Sequence, residues 1–184
     1  MKGSWIAACC VTWLLCGSFA LGHREEFGSV IPEPERSGST AGLSAVLVLS
    51  TEPEEVLRSW ATRAASLSID TADTVTRDVP IVAFVFFSGC LPDRNGLCNA
   101  SADFTILEPD GSVYERIEDL DLWKDKPAPP AGTLRLAAEY VGVVIEAQDP
   151  LGEYEFRVTL HDRNAGTRLE LSRPFTATAG KKAH

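Results

Sequence analysis

Apolar and polar positions along this chain fall mostly into short runs of strand length. "LSAVLVLS" (43–50) is a β-type run, and "VPIVAFVFF" (79–87) is apolar throughout, as suits a buried central strand. "SLSIDTADTVTR" alternates in part. "ADFTIL" (102–107) alternates, "EPDG" turns the chain, and "SVYERI" (112–117) returns, with Gly111 free to take positive φ in a hairpin. "TLRLAAEYVGVVIE" (133–146) reads as one long or two short strands, with Gly142 as a candidate bulge. "EYEFRVTL" (153–160) puts Tyr154, Phe156, Val158 and Leu160 on one face. After the turn at 164–166, "TRLELSRPFTAT" (167–178) completes a last hairpin with Leu169, Leu171 and Phe175 as core candidates. One stretch breaks the pattern. Thr51 and Glu54 have capping-box spacing, and Val56, Leu57, Trp60, Ala61 and Ala64 then share a helical face, so a helix is expected over about 53–64.

Seven or eight short strands in one domain of about 135 residues predict a mostly β fold, an antiparallel two-sheet β-sandwich with one short N-terminal helix. The domain is expected over 43–178. Residues 23–42 ("HREEFGSVIPEPERSGSTAG") hold only Phe27, Val30 and Ile31 as large apolar groups, too few to offset ordering entropy, so they read as a flexible lead-in. Residues 179–184 read as a loose tail.

The first 22 residues look like a leader. Lys2 gives a positive start, Trp5 to Leu15 is apolar but too short to cross a hydrocarbon core of roughly 30 Å, and Ser18, Ala20 and Gly22 suit a cleavage site. A signal peptide over 1–22 implies a periplasmic or secreted protein with no membrane insertion after cleavage. Cleavage removes Cys9, Cys10 and Cys16 and leaves Cys90 and Cys98. Export brings such a pair into an oxidising compartment. The "PDRNG" between them reverses the chain, which brings the two cysteines together. A structural disulfide is therefore expected. A metal site lacks a second cysteine pair, and a redox centre would call for C-x-x-C at a helix start. No cofactor motif stands in the chain.

Seventeen Lys and Arg face 26 Asp and Glu, a net charge of −9. With no basic stripe, nucleic acid is not an expected partner. Catalytic sets are equally scarce. His161 is the only histidine inside the expected domain and reads as a surface residue beside Asp162. No nucleophile elbow or phosphate loop occurs, and the Asn99–Ser101 sequon matters only in a host that glycosylates. The segment "RIEDLDLWKDKPAPPAG" (116–132) has two readings. Trp123, with Lys124 and Asp121, could anchor a docking edge. More plainly, Leu120, Leu122 and Trp123 close one end of the sandwich while the carboxylates stay in water.

"DPLGEY" (149–154) places Asp149, Gly152 and Tyr154 before the strand that carries Phe156, similar to the turn that leads into strand F of immunoglobulin-like domains. The Asp-to-Tyr spacing is one longer than in antibodies and 79–87 lacks a Trp, so a looser immunoglobulin-like relative is implied. Taken together, "PIVAFVFFSGC", "ADFTILEPDGSVYE", "LWKDKPAPP", "DPLGEYEFRVTLHD" and "LELSRPFT" resemble uncharacterised bacterial periplasmic proteins over about 53–178. They are more distantly similar to macroglobulin-type and bacterial proteinase-inhibitor domains. The expected role is a non-enzymatic exported module that binds another envelope protein or lends structure. The alternatives are a proteinase inhibitor presenting the stapled loop 91–97, and a redox factor using Cys90 and Cys98.

Overall fold

The computed structural model describes residues 37–40, 42–62 and 69–180. Residues 1–36, 41, 63–68 and 181–184 lie outside the described residues, and with them the expected leader, most of the expected lead-in and the end of the expected helix at Ala64. One sheet has the order β1 (Ser37–Thr40), β2 (Leu43–Ser50), β4 (Pro80–Ser88). Along the free edge of β4 run β7 (Arg135–Leu136) and then β8 (Val141–Val144). The other sheet has the order β3 (Thr74–Thr76), β10 (Thr167–Thr178), β9 (Gly152–Asp162), β5 (Leu97–Leu107), β6 (Val113–Pro127). The two pack face to face as a β-sandwich. Every pairing is antiparallel except β3 with β10, which is parallel.

β4 is apolar at every inner position because neither of its faces meets water. Ile81, Ala83, Val85 and Phe87 point between the sheets, against Phe104, Ile106, Phe156, Val158 and Phe175. Val82, Phe84 and Phe86 point the other way and join Val46, Val48, Val56 and Ile69 in a second apolar cluster. That outer cluster is roofed by helix α1 (Pro53–Thr62), whose Val56 is buried and whose Leu57 and Trp60 pack against it. The Trp60 ring meets Phe86 edge-on at 5.4 Å between centroids. The helix thus adds a partial third layer. Pro53 occupies the first helical position, where a missing N–H costs nothing, and the Glu52 carbonyl accepts the N–H groups of Glu55 and Val56. The expected Thr51–Glu54 capping box gives way to this start, and the Glu52 N–H donates to the Ser50 hydroxyl. The helix runs to Thr62, and Ala61 is exposed.

Several expectations shift. Ser37–Thr40, expected in the flexible lead-in, forms β1 and pairs with Leu43–Val46. Alternating backbone hydrogen bonds, not apolar side chains, hold it there, so composition gave no sign of it. The 133–146 segment divides into β7 and β8, and Gly142 sits opposite Val82 in regular register with no bulge. The hairpin strand at 112–117 continues as β6 to Pro127, through most of the stretch for which no strand was expected. Its register against β5 slips four times. Asp119 (φ 59°) and Asp125 (φ 52°) take left-handed backbone, which Asp tolerates better than most residues. These irregularities hid the strand from a period-two reading.

The β5–β6 turn forms as expected, with Gly111 at φ 86° and the Glu108 N–H donating to the Ser112 carbonyl. The β8–β9 connection is pinned by two tyrosines. The Tyr154 hydroxyl donates to the Pro150 carbonyl at 2.8 Å, and the Tyr114 hydroxyl donates to Asp149 Oδ2 at 2.9 Å. Burial first, and then the Asp149 carboxylate, push the Tyr114 phenol up to about 12.

Phe84→Ala is expected to destabilise the domain by about 3–5 kcal/mol in denaturant unfolding, the usual cost of removing a buried ring. Tyr114 has a raised folded-state pKa, so its contribution is present below the unfolded value of about 10 and is lost as pH rises toward 12. Tyr114→Phe should therefore flatten the alkaline end of the stability profile.

Candidate interaction surface at the stapled end

β4 is followed by Gly89, whose φ is 76° and whose Cα lies so close to the Gly42 carbonyl that an added Cβ would stand 1.9 Å from its oxygen. Only glycine fits, and the turn delivers Cys90 toward Cys98 at the start of β5. The two form a disulfide, with Cα atoms 6.0 Å apart. Cys98 is fully buried in the core-facing row of β5, whereas residues 91–96 between the cysteines are exposed.

Exposure does not leave this loop loose. Asp93 Oδ1 accepts the N–H of Asn95 at 2.8 Å and of Leu97 at 2.9 Å, while Oδ2 accepts Asn95 Nδ2 at 3.1 Å. The Gly96 N–H donates to the Asp93 carbonyl and the Asp93 N–H to the Leu97 carbonyl. The Leu97 amide, followed by the other donors, outweighs desolvation and holds the Asp93 carboxyl below the ordinary carboxylate range.

The loop is also clamped from below. Asp162, at the end of β9, is buried, and its Oδ2 accepts the Leu91 N–H at 2.7 Å. Its Oδ1 accepts the N–H groups of Asn164 and Ala165, which shapes the β9–β10 turn. Asn164 Nδ2 donates to the carbonyls of Leu91 and Leu97. The Ala128 N–H, beyond β6, donates to the Gly96 carbonyl. Two Asp-Arg-Asn turns, 93–95 and 162–164, therefore sit side by side at one end of the sandwich. The repeated tripeptide is the sequence signal that could have shown their kinship. What projects outward is Leu91 (49 % exposed), Pro92, Arg94 and Asn95. Arg94 has no ion-pair partner among the described residues.

Beside this end lies the other candidate, on β6. Trp123 is half-buried. Its ring meets Phe87 at 5.7 Å, its Nε1 donates to the Pro127 carbonyl, and Lys126 and Arg135 lie over its face. Leu122 is fully buried and Leu120 packs on the same core. Lys124 Nζ pairs with Asp119 at 2.9 Å, and its N–H donates to Asp121 Oδ1 at 2.7 Å. Asp121 Oδ2 pairs with Lys126. The indole is thus committed to closing the sandwich, and Lys124 and Asp121 are spent on holding the bulged strand.

His161 is more connected than its sequence suggested. Its Nε2 lies 2.9 Å from Asp103 Oδ2, and Asp103 Oδ1 accepts the Asp119 N–H at 2.8 Å. Asp119 in turn pairs with Arg163 at 2.6 Å. Burial raises the Asp103 carboxyl, but the Asp119 amide and His161 overcome it and leave it lowered. The Ser101 hydroxyl accepts from Arg163 at 3.1 Å. The row is a structural tie between β5, β6 and β9. The described surface also carries two shallow depressions. One, of about 430 Å³, has serines 37, 39, 44 and 88 around Val46 and Phe86. The other, of about 350 Å³, lies between Pro109 and Pro174 and carries Glu108, Glu153 and Glu155. Among the described residues no three His, Cys, Asp or Glu side chains converge as metal ligands would. Nor is any described helix long and apolar enough to cross a membrane.

No family model and no curated protein matches the chain. Among solved structures, a family 123 glycoside hydrolase from Clostridium perfringens is similar over 76% of this chain at 6% identity, with a TM-score of 0.42. This chain spans 28% of that one. A likeness of that degree carries nothing about activity.

Asp93 and Asp103 have lowered folded-state pKa values, so their contributions are complete above the unfolded carboxylate value and fade as pH falls through the folded ones. The protection of the Leu97 and Asp119 amides, taken relative to their intrinsic exchange rates at each pH, is expected to fall on acidification below the ordinary Asp range of about 3.9, while amides in the centre of β4 stay protected. Asp162→Ala leaves the Leu91, Asn164 and Ala165 amides without their acceptor. It should cost about 3 kcal/mol in equilibrium unfolding.

Proposed function

We propose that this chain is a non-enzymatic, exported immunoglobulin-like module that binds another envelope protein through the stapled end. One observation carries the reading. Leu91 has its N–H fixed by Asp162 and its carbonyl by Asn164, while its side chain stays 49 % exposed. A loop held this firmly loses little conformational freedom on binding, which is how a small contact becomes a specific one. Arg94 and Leu91 supply a cation and an apolar knob, and Arg is favoured at the centre of protein interfaces. The Tyr154–Pro150 hydrogen bond resembles the tyrosine corner of immunoglobulin-like domains and supports that part of the reading. The internal disulfide is compatible with the export expected from residues 1–22.

The inhibitor alternative is less well supported. A protease docks on free backbone N–H and carbonyl groups in an extended loop. Here those of Leu91, Asp93 and Gly96 are engaged internally, and 93–96 is a tight turn. The redox alternative asks for a C-x-x-C pair at a helix start, whereas here Cys98 is fully buried, Cys90 is half-buried and the pair spans a turn between two strands.

The test is affinity capture from the envelope extract of the source cell with folded wild type, Leu91→Asp, Arg94→Glu and, at the opposite end, Val113→Asp. The first two are expected to lose a wild-type partner by about thirtyfold in affinity, the loss of one hot spot, with Val113→Asp unaffected. No partner for the wild type, or a partner equally retained by the loop variants, overturns the reading.

A further inference from the structure

We propose that Asn95 is a latent deamidation site which the fold keeps closed, with Asp93 as the guard. Asn95–Gly96 lies at the tip of an exposed loop. An Asn followed by Gly is chemically vulnerable because no Cβ shields the next amide nitrogen. Once base removes the Gly96 amide proton, that nitrogen attacks the Asn95 side-chain carbonyl carbon. The bond to Nδ2 breaks, ammonia leaves, and a succinimide ring remains. Water then opens the ring on either side to give aspartate or isoaspartate.

Three contacts oppose the first step. The Gly96 N–H is donated to the Asp93 carbonyl at 3.0 Å, so the nucleophile is occupied. Asn95 Nδ2 is donated to Asp93 Oδ2 at 3.1 Å, which turns the side-chain amide back toward Asp93. The Asn95 N–H is held by Asp93 Oδ1 at 2.8 Å, which fixes the backbone on the other side. The Cys90–Cys98 bridge and the Asp162 and Asn164 clamp prevent the turn from opening as a whole. Ring closure thus requires several of these bonds to be lost together. This protection is independent of the partner-binding role.

The measurement is the rate of conversion at residue 95 in mildly alkaline buffer. It is read by peptide mass spectrometry with enzymatic isoaspartate detection. Native wild type is expected to convert at least about tenfold more slowly than the reduced, alkylated and unfolded chain, since hydrogen bonds to a charged acceptor must open first. Asp93→Ala keeps the residue-93 carbonyl that holds the Gly96 N–H but loses both carboxylate contacts to Asn95, so it should convert several-fold faster than wild type and still more slowly than the unfolded chain. Asp93→Asn, which keeps an oxygen for the backbone amides but loses one acceptor, should lie between wild type and Asp93→Ala. Asp110→Ala, which removes the Asp110–Ser112 contact at the opposite end, should match wild type. Native wild type converting as fast as the unfolded chain overturns the proposal, as does a folded Asp93→Ala no faster than wild type. If Asp93→Ala does not fold, an Asp93→Asn rate equal to wild type overturns it instead.

Discussion

Phe84 and Phe86 on one face of β4, and Val85 and Phe87 on the other, are all withdrawn from water, and the remaining architecture answers to that. A strand with two apolar faces requires a cover on each. The second sheet supplies one, and helix α1 with Leu134 and Leu136 supplies the other. Each fully buried ring contributes about 2–3 kcal/mol relative to exposure, so the pairing of β4 with β2, β7 and β8 is fixed by side chains as much as by backbone.

The stapled end inherits its position from the same strand. β4 leaves the core at Ser88, and Gly89 must turn against Gly42 because no larger residue fits there. The chain then has seven residues before it re-enters as β5 in the opposite sheet, so the disulfide ties the two sheets together where they diverge. Beneath it, the buried Asp162 and its neighbour Asn164 convert an exposed crossing into a rigid one. Polar side chains do there what apolar packing does in the core. Carboxylate and amide groups at the rim satisfy backbone donors and acceptors that would otherwise need water.

Runs with one clear period were legible in the sequence. The alternation of β9 and of β10, the apolar run of β4 and the turn at Gly111 each follow from local chemistry. The disulfide agrees with what the turn residues and the expectation of export led to. Three features depended on tertiary context and escaped. β1 has almost no apolar content and exists because β2 offers it an edge. β6 escaped because bulges and left-handed aspartates break its alternation. The clamp escaped because Asp162 and Asn164 stand about seventy positions from the loop that they hold, and only the repeated Asp-Arg-Asn hinted at a shared turn. Trp123 shows the opposite hazard. Surrounded by charges in sequence, it packs on Phe87 because the bulges rotate it inward.

The broken register of β6 has one more consequence, and it concerns colloidal behaviour. This is the outermost strand of its sheet, and a long, flat outermost strand is a template on which a second molecule can polymerise. Here successive amides are out of step with any straight newcomer, and Asp119, Asp121, Lys124 and Lys126 place charge along the rim. The kinks that concealed the strand from view in the sequence are also what protects the folded protein from growing fibres along its own border.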